Sequence, residues 1–243
     1  MTIDTVWAQL EQDLSWRLAE IRLLSNTRSG LRNESDRDRF RRAQLVMLYA
    51  HAEGFCKVAL LIYLRAINDA NIPCLAASDE LVALAFDEIF HALQFGDEKY
   101  KVFSAKLPSD PKLFVAARRR DFVAEYESIM RRTIQLPEST VNTESNLSSI
   151  VLRRNLFRLG FPPDLLAEYD AHLDELVNRR NNIAHGIDDS VVKSTDYDRL
   201  QRAVLQAMDS IALVIVDALD RTVYLHQLGA RFNDTFWITG EMR

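Results

Sequence analysis

The sequence predicts an all-α chain, on three observations. Only 7 Gly and 6 Pro interrupt 243 residues, so long stretches carry no helix breaker. Apolar residues recur three and four apart over several long segments, the period of a helix with one buried face. Capping residues and Gly or Pro stops bracket those segments. At 48% hydrophobic and 27% charged, the chain can bury a sizeable core and still solvate its surface.

The first helix is read over about Asp4 to Ser25. Val6 or Trp7, Leu10, Leu14, Leu18, Ile21 and Leu24 form its stripe. The Gly- and Asn-containing stretch from Arg28 to Ser35 breaks it. A second helix follows over about Asp36 to Asn71. From Leu45 to Ile67 it is apolar nearly all round, which marks a central buried helix, and Pro73 closes it. Helical patches are expected at Ser78 to Phe95 and Pro111 to Met130, punctuated by Gly96-Asp97 and Pro108-Ser109-Asp110-Pro111. Residues 76–137 therefore read as a helical insertion between two halves of a bundle, within one domain spanning 1–243.

A polar link, Glu138 to Ser149, leads to a helix capped by Asn146 or Ser148 that ends at Gly160, before Pro162-Pro163. Asp164 is expected to cap the next helix, Leu165 to Ile187, whose end Gly186 and Asp188-Asp189 mark. The last helix is read from about Thr195 to Gln227, capped by Ser194 or Thr195. The tail, Leu228 to Arg243, carries Phe232, Phe236, Trp237 and Ile238 and is expected to dock as a loop or short strand.

The most apolar run noted, Ile211 to Leu219, is too short for a membrane span and is flanked by Asp. The start, Met1-Thr2-Ile3-Asp4, lacks a signal-peptide pattern. Cys56 and Cys74, the only cysteines, are scattered, which suits a reducing cytoplasm and neither a disulfide scaffold nor a zinc site. No cofactor or metal is expected, and the expected location is cytoplasmic. The formal net charge of −5 excludes a chain held to nucleic acid by overall charge, so any such binding must be local. Basic clusters stand at Arg37 to Arg42, Arg118 to Arg120, Arg131-Arg132, Arg153-Arg154 and Arg179-Arg180; most are read as solvated helix faces.

Of five histidines, His51, His91, His172 and His226 are assigned to packing or surface. His185 differs by context, in Arg179-Arg180-Asn181-Asn182-Ile183-Ala184-His185-Gly186. Leu173, Leu176, Val177, Ile183, Ala184 and Ile187 share one helix face with Arg180 at its centre. A guanidinium there cannot lose its proton and needs an anionic partner, either an internal carboxylate or a bound phosphate. His185 lies about 140° round the helix from Arg180, whereas Asn181 and His185 share a face. A joint site thus requires Arg180 to reach round, the helix end to unwind near Gly186, or a second chain to complete the cleft. The same Arg-to-His spacing recurs at Arg221 and His226, but Arg221 is placed in a helix interior with no turn near His226.

The stretch Arg180 to Gly186 resembles the signature of the HEPN superfamily (higher eukaryotes and prokaryotes nucleotide-binding domains): Arg, a polar residue, a short spacer, then His. The helix with Tyr49-Ala50-His51-Ala52-Glu53-Gly54-Phe55-Cys56-Lys57 and the segment Glu144-Ser145-Asn146-Leu147 resemble free-standing prokaryotic HEPN toxins of the MAE type. The likeness covers about Val6 to Asn71 and Asn142 to Leu225. It implies a HEPN-like helical bundle that forms a homodimer, bringing two motifs into one cleft, and metal-independent RNA cleavage with Arg180, Asn181 and His185 as catalytic residues. Those residue types suit the chemistry. An imidazole can take the proton of a ribose 2′-hydroxyl near neutral pH, and Arg can clamp the charge gathering on phosphate oxygens. The implied products are a 2′,3′-cyclic phosphate and a 5′-hydroxyl, with RNA as substrate because DNA lacks the nucleophile.

Arg179, Asn182, Arg153 and Arg154 are candidate RNA contacts, and gathering of these arginines about one cleft would favour RNA binding; scattering would favour a structural role. Glu53 is expected as a buried ion-pair partner of Arg180, with a place beside the cleft as the alternative. Some HEPN toxins carry a Tyr two positions after the His; here that position is Ile187. The implied partners are RNA and a cognate antitoxin protein, with no membrane. The alternative functions are a non-catalytic HEPN module binding RNA, a nucleotide or a partner protein, and a purely structural use of the motif.

Overall fold

A computed structural model describes residues 1–95, 110–144, 146–187 and 191–226. Among them lie eight helices: α1 (Ile3–Gly30), α2 (Glu34–Asp69), α3 (Asp79–Ala85), α4 (Asp87–Gln94), α5 (Pro111–Met130), α6 (Ser149–Arg158), α7 (Asp170–Ala184) and α8 (Ser194–Asp220). No strand occurs among the described residues, only isolated bridges joining Pro73 to Thr133 and Ala77 to Leu225. The tail from Leu228 with its aromatic residues, Gly96-Asp97, Pro108-Ser109, Ser145 and Asp188-Asp189 lie outside the described residues.

The core forms around α2. It packs against α1, α7 and α8, and Leu45, Leu48, Phe55, Ala59, Leu60, Tyr63, Leu64 and Ile67 are all buried. Apolar residues on nearly every side of α2 demand such neighbours, because each buried apolar side chain adds about 1.5–3 kcal/mol of transfer free energy. This helix, rather than Ile211 to Leu219, carries the stretch that is long and apolar enough to cross a membrane by length and composition, and 56% of that stretch is buried inside the bundle.

Helices α3, α4 and α5 pack beside the bundle, α3 against α6 and α4 against α5. The single helix expected over Ser78 to Phe95 is two, parted at Phe86, whose buried ring joins the core. Helix α1 runs on to Gly30, past its expected end at Ser25 and into the stretch expected to break it. Two other boundaries differ from expectation because tertiary anchoring overrides local propensity. Residues 164–169 form turns that bury Leu166, and α7 starts only at Asp170, so Asp164 does not cap it. At its far end α8 stops at Asp220. Thr222 takes a φ of 52°, and the chain turns back so that the His226 N–H donates to the Ala76 carbonyl at 2.8 Å. Arg221 is therefore the C-cap of α8 rather than an interior residue.

One member of the basic run Arg37 to Arg42 is not solvated. Arg41 is buried, paired with Glu34 and Asp38, and donates from Nε to the Val192 carbonyl at 2.6 Å, tying the link after α7 to α2. Both cysteines are free and buried.

Candidate active site

Three elements bring the motif residues into place: α2, the link before α6, and the C-terminal half of α7. The link is held from both sides. Asn155, itself buried, receives the Asn142 N–H on Oδ1 at 3.2 Å and donates from Nδ2 to the Asn142 carbonyl at 2.9 Å. Asp174 of α7 accepts from both the N–H and the hydroxyl of Ser149, at 2.8 Å each, which secures the start of α6. That carboxylate does the work expected of a cap at Ser148, whose own side chain makes no cap hydrogen bond.

Arg180 stands where the apolar face of α7 leaves the core. Leu173, Leu176 and Val177 are buried, Ile183 is half-buried, and Ala184 and Ile187 are exposed. The guanidinium lies 4.6 Å from the centre of the Tyr49 ring. Its Nη1 donates to Oδ1 of Asn181 at 2.8 Å, and Nδ2 of Asn181 donates to Oδ1 of Asn146 at 3.3 Å. The Tyr49 hydroxyl accepts the Leu147 N–H at 2.8 Å. Burial pushes that hydroxyl up to about 12, with the Glu53 carboxylate adding to the rise while the Leu147 N–H and Arg180 oppose it, so Tyr49 stays a neutral phenol.

No carboxylate among the described residues forms an ion pair with Arg180. The expected Glu53–Arg180 pair does not form; a neutral ring occupies the place, and Glu53 sits one turn along α2 beside Tyr49. The other arginines of this region are all neutralised. Arg153 pairs with Asp170, Arg154 with Glu144, and Arg179 with Glu175 at 2.9 Å and Asp196 at 3.8 Å. Two of them point away from Arg180: Arg153 pairs with Asp170, ten residues and about 15 Å of helix from it, and Arg179 faces α8 through Asp196. Burial raises the Glu175 carboxyl, but Arg199 and Arg179 outweigh it and hold that group below its usual range.

His185 and Asn182 are exposed. The His185 N–H still donates to the Asn181 carbonyl at 3.0 Å, so the helix does not unwind ahead of it. Gly186 follows with φ 66°, and the Ile187 N–H closes on the Asn182 carbonyl at 2.9 Å. This is a Schellman stop, which requires the left-handed conformation that Gly adopts without strain. No hydrogen bond joins the His185 ring to Arg180 or Asn181 among the described residues. Arg180 and Asn181 are thus brought together within one chain, and His185 stands apart at the exposed end of the same helix.

Two contributors carry no site signal of their own in the sequence: Tyr49 stands there only as part of the α2 stretch, and Asn146 only as a possible helix cap and a member of the segment before α6. Among the described residues no three His, Cys, Asp or Glu side chains converge as metal ligands do.

A family model described as HEPN_MAE_28990-like HEPN matches residues 6–224. No curated protein and no solved structure matches the chain.

Proposed function

The chain belongs to the HEPN_MAE_28990-like HEPN family, and from that premise we propose that it is an endoribonuclease, a toxin or defence effector, that cuts RNA without a metal ion. One observation carries the proposal: Arg180 keeps an un-neutralised charge, held by a ring and an amide, five residues before an exposed His185. A guanidinium meant only to stabilise the bundle would meet a carboxylate, as Arg17, Arg41, Arg153 and Arg179 do.

In the proposed reaction the His185 imidazole removes the proton of a ribose 2′-hydroxyl. The O2′–P bond forms, the P–O5′ bond breaks, the departing 5′-oxygen takes a proton from water, and His185 returns its own proton to solvent. The products are a 2′,3′-cyclic phosphate and a 5′-hydroxyl end. Arg180 holds the phosphate oxygens as charge collects on them, where a fixed donor stabilises the transition state more than the ground state. Asn181 orients Arg180. Asn182 borders the cleft, while Arg153, Arg154 and Arg179 reach RNA only by exchanging their carboxylate partners for phosphate.

Arg180 and His185 do not share a face of α7, and the helix is intact between them. The proposal therefore includes a homodimer in which Arg180 of one copy serves His185 of the other, with exposed Ala184 and Ile187 at the contact. A cognate antitoxin would act by covering this face. A second reading is a non-catalytic HEPN module that binds RNA, a nucleotide or a partner protein; within it, the neutralised state of Arg153, Arg154 and Arg179 favours a partner protein over RNA.

The test is cleavage of total cellular RNA by purified protein in EDTA, beside Arg180→Ala and His185→Ala. Cleavage by wild type and its loss in both variants is the expected result. Equal cleavage by all three removes the site. RNA binding by all three without any cleavage leaves the binding module.

A further inference from the structure

Arg180 is held by a closed circuit of neutral groups that crosses three elements. Its guanidinium lies over the ring of Tyr49 from α2. That ring is pinned at its far end, where its hydroxyl accepts the N–H of Leu147 in the link. The neighbouring Asn146 accepts from Asn181 of α7, and Asn181 accepts from Arg180. Because Arg can only donate, the oxygen of Asn181 must face it, and the amide nitrogen must then face Asn146. None of the groups touching the guanidinium carries a negative charge; the Glu53 carboxylate meets the Tyr49 hydroxyl rather than Arg180, so the circuit fixes the guanidinium without an ion pair. The donors on Nε and Nη2 have no hydrogen-bond partner among the described residues.

We infer that Tyr49 and Asn146 are positioning residues that set the pose of Arg180 for a phosphodiester. The inference rests on the ribonuclease reading for its purpose, though the pose itself can be tested apart from it. Tyr49 supplies the face on which the guanidinium lies. It is a suitable support because its ring is buried to 2% exposure and its phenol stays neutral. Asn146 acts at one remove, by fixing the amide of Asn181. The link that presents Asn146 and Leu147 is held in turn by Asn155 and by Asp174. Loss of the ring face is expected to lower the population of the working pose by about threefold to thirtyfold, the range of a partly desolvated cation–π contact.

Two variants test this, Tyr49→Leu and Asn146→Ala, with Tyr49→Phe as the conservative control and a thermal melt to establish folding. The first readout is the side-chain Nε–H resonance of Arg180, assigned by its absence in Arg180→Ala. The Tyr49 ring current should displace it. Tyr49→Leu should abolish the displacement, Asn146→Ala should reduce it, and Tyr49→Phe should largely keep it. The second is RNA cleavage. Tyr49→Leu and Asn146→Ala should lower kcat about tenfold, and Tyr49→Phe should recover most of the loss. An Arg180 resonance that ignores both substitutions overturns the inference, whether or not the protein cuts RNA. So does a cleaving wild type whose Tyr49→Leu and Asn146→Ala variants cut equally well. A wild type that cuts nothing removes the ribonuclease reading, and the resonance still decides the pose.

Discussion

Gly54 sits in the middle of α2, where Ala would ordinarily add about 1 kcal/mol of helix stability. The structure predicts the opposite. A Cβ at Gly54 would lie 2.5 Å from Nη1 of Arg17, 3.0 Å from Nη2 and 3.1 Å from Cζ. Arg17 is itself 7% exposed. Its Nε and Nη2 meet the Asp13 carboxylate at 2.7 and 3.2 Å, its Nη1 donates to the His51 carbonyl at 3.3 Å, and its guanidinium lies 4.5 Å from the Trp16 ring centre. The pair with Asp13 is within α1 and can follow the guanidinium outward; the contact across to α2 cannot. Losing the charged hydrogen bond to His51 costs about 1.5–3 kcal/mol, and losing part of the Trp16 contact about 0.5–2 kcal/mol. Against the helix gain, Gly54→Ala is expected to destabilise by about 1–4 kcal/mol, a fall in Tm of roughly 5–10 °C at mid-range for a chain of this size. Calorimetric or fluorescence melts would read it. The same substitution made in an Arg17→Met background should stabilise by about 1 kcal/mol, since only helix propensity then remains. A Gly54→Ala protein as stable as wild type would refute the reasoning.

Three other outcomes are expected. Gly186→Ala places a side chain at φ 66° and should cost about 1–2 kcal/mol by melt; it should also depress cleavage by moving His185, with Gly186→Asn retaining more of both. His51 is held below its ordinary value of 6.5, by burial first and by Arg17, against the opposing pull of Glu20 and Asp13. The unfolded chain therefore takes up a proton that the folded chain resists. Stability should be full above pH 6.5 and fall below it, by no more than about 1.4 kcal/mol per pH unit, and urea midpoints at pH 7.5 and about 5.5 should differ less in His51→Gln than in wild type. Mixed Arg180→Ala and His185→Ala proteins should regain about a quarter of wild-type turnover if each cleft draws on both copies; no recovery would place the whole site within one chain.

The long elements were legible because their signals are local and dense. The stripes of α1 and α2, the Gly160 stop of α6 and the proline start of α5 all stand where periodicity and capping put them. Boundaries failed where a distant contact decides. The end of α8 depends on pairing with Ala76 and Ala77, and the late start of α7 on burying Leu166. The site was legible in its motif residues and illegible in their partners. Arg180 could be marked as needing a partner, but a ring face can serve a half-buried guanidinium in place of a carboxylate, and no pattern in the chain says that Tyr49 will lie beneath it. The role of Asn146 was illegible for the same reason: its 3.3 Å hydrogen bond to Asn181 joins residues 35 apart. Gly54, conspicuous in the sequence, acquires its physical cause only once Arg17 is seen against it.

The most direct test of the central claim is the chemistry of the cut end. A short RNA cleaved in EDTA should yield, by mass spectrometry, a 2′,3′-cyclic phosphate on one fragment and a 5′-hydroxyl on the other. The same oligonucleotide with one 2′-deoxyribose at the scissile position should resist cleavage there. A 3′-hydroxyl with a 5′-phosphate, or undiminished cutting of the deoxy-substituted strand, would contradict attack by the ribose hydroxyl and with it the roles given to His185 and Arg180.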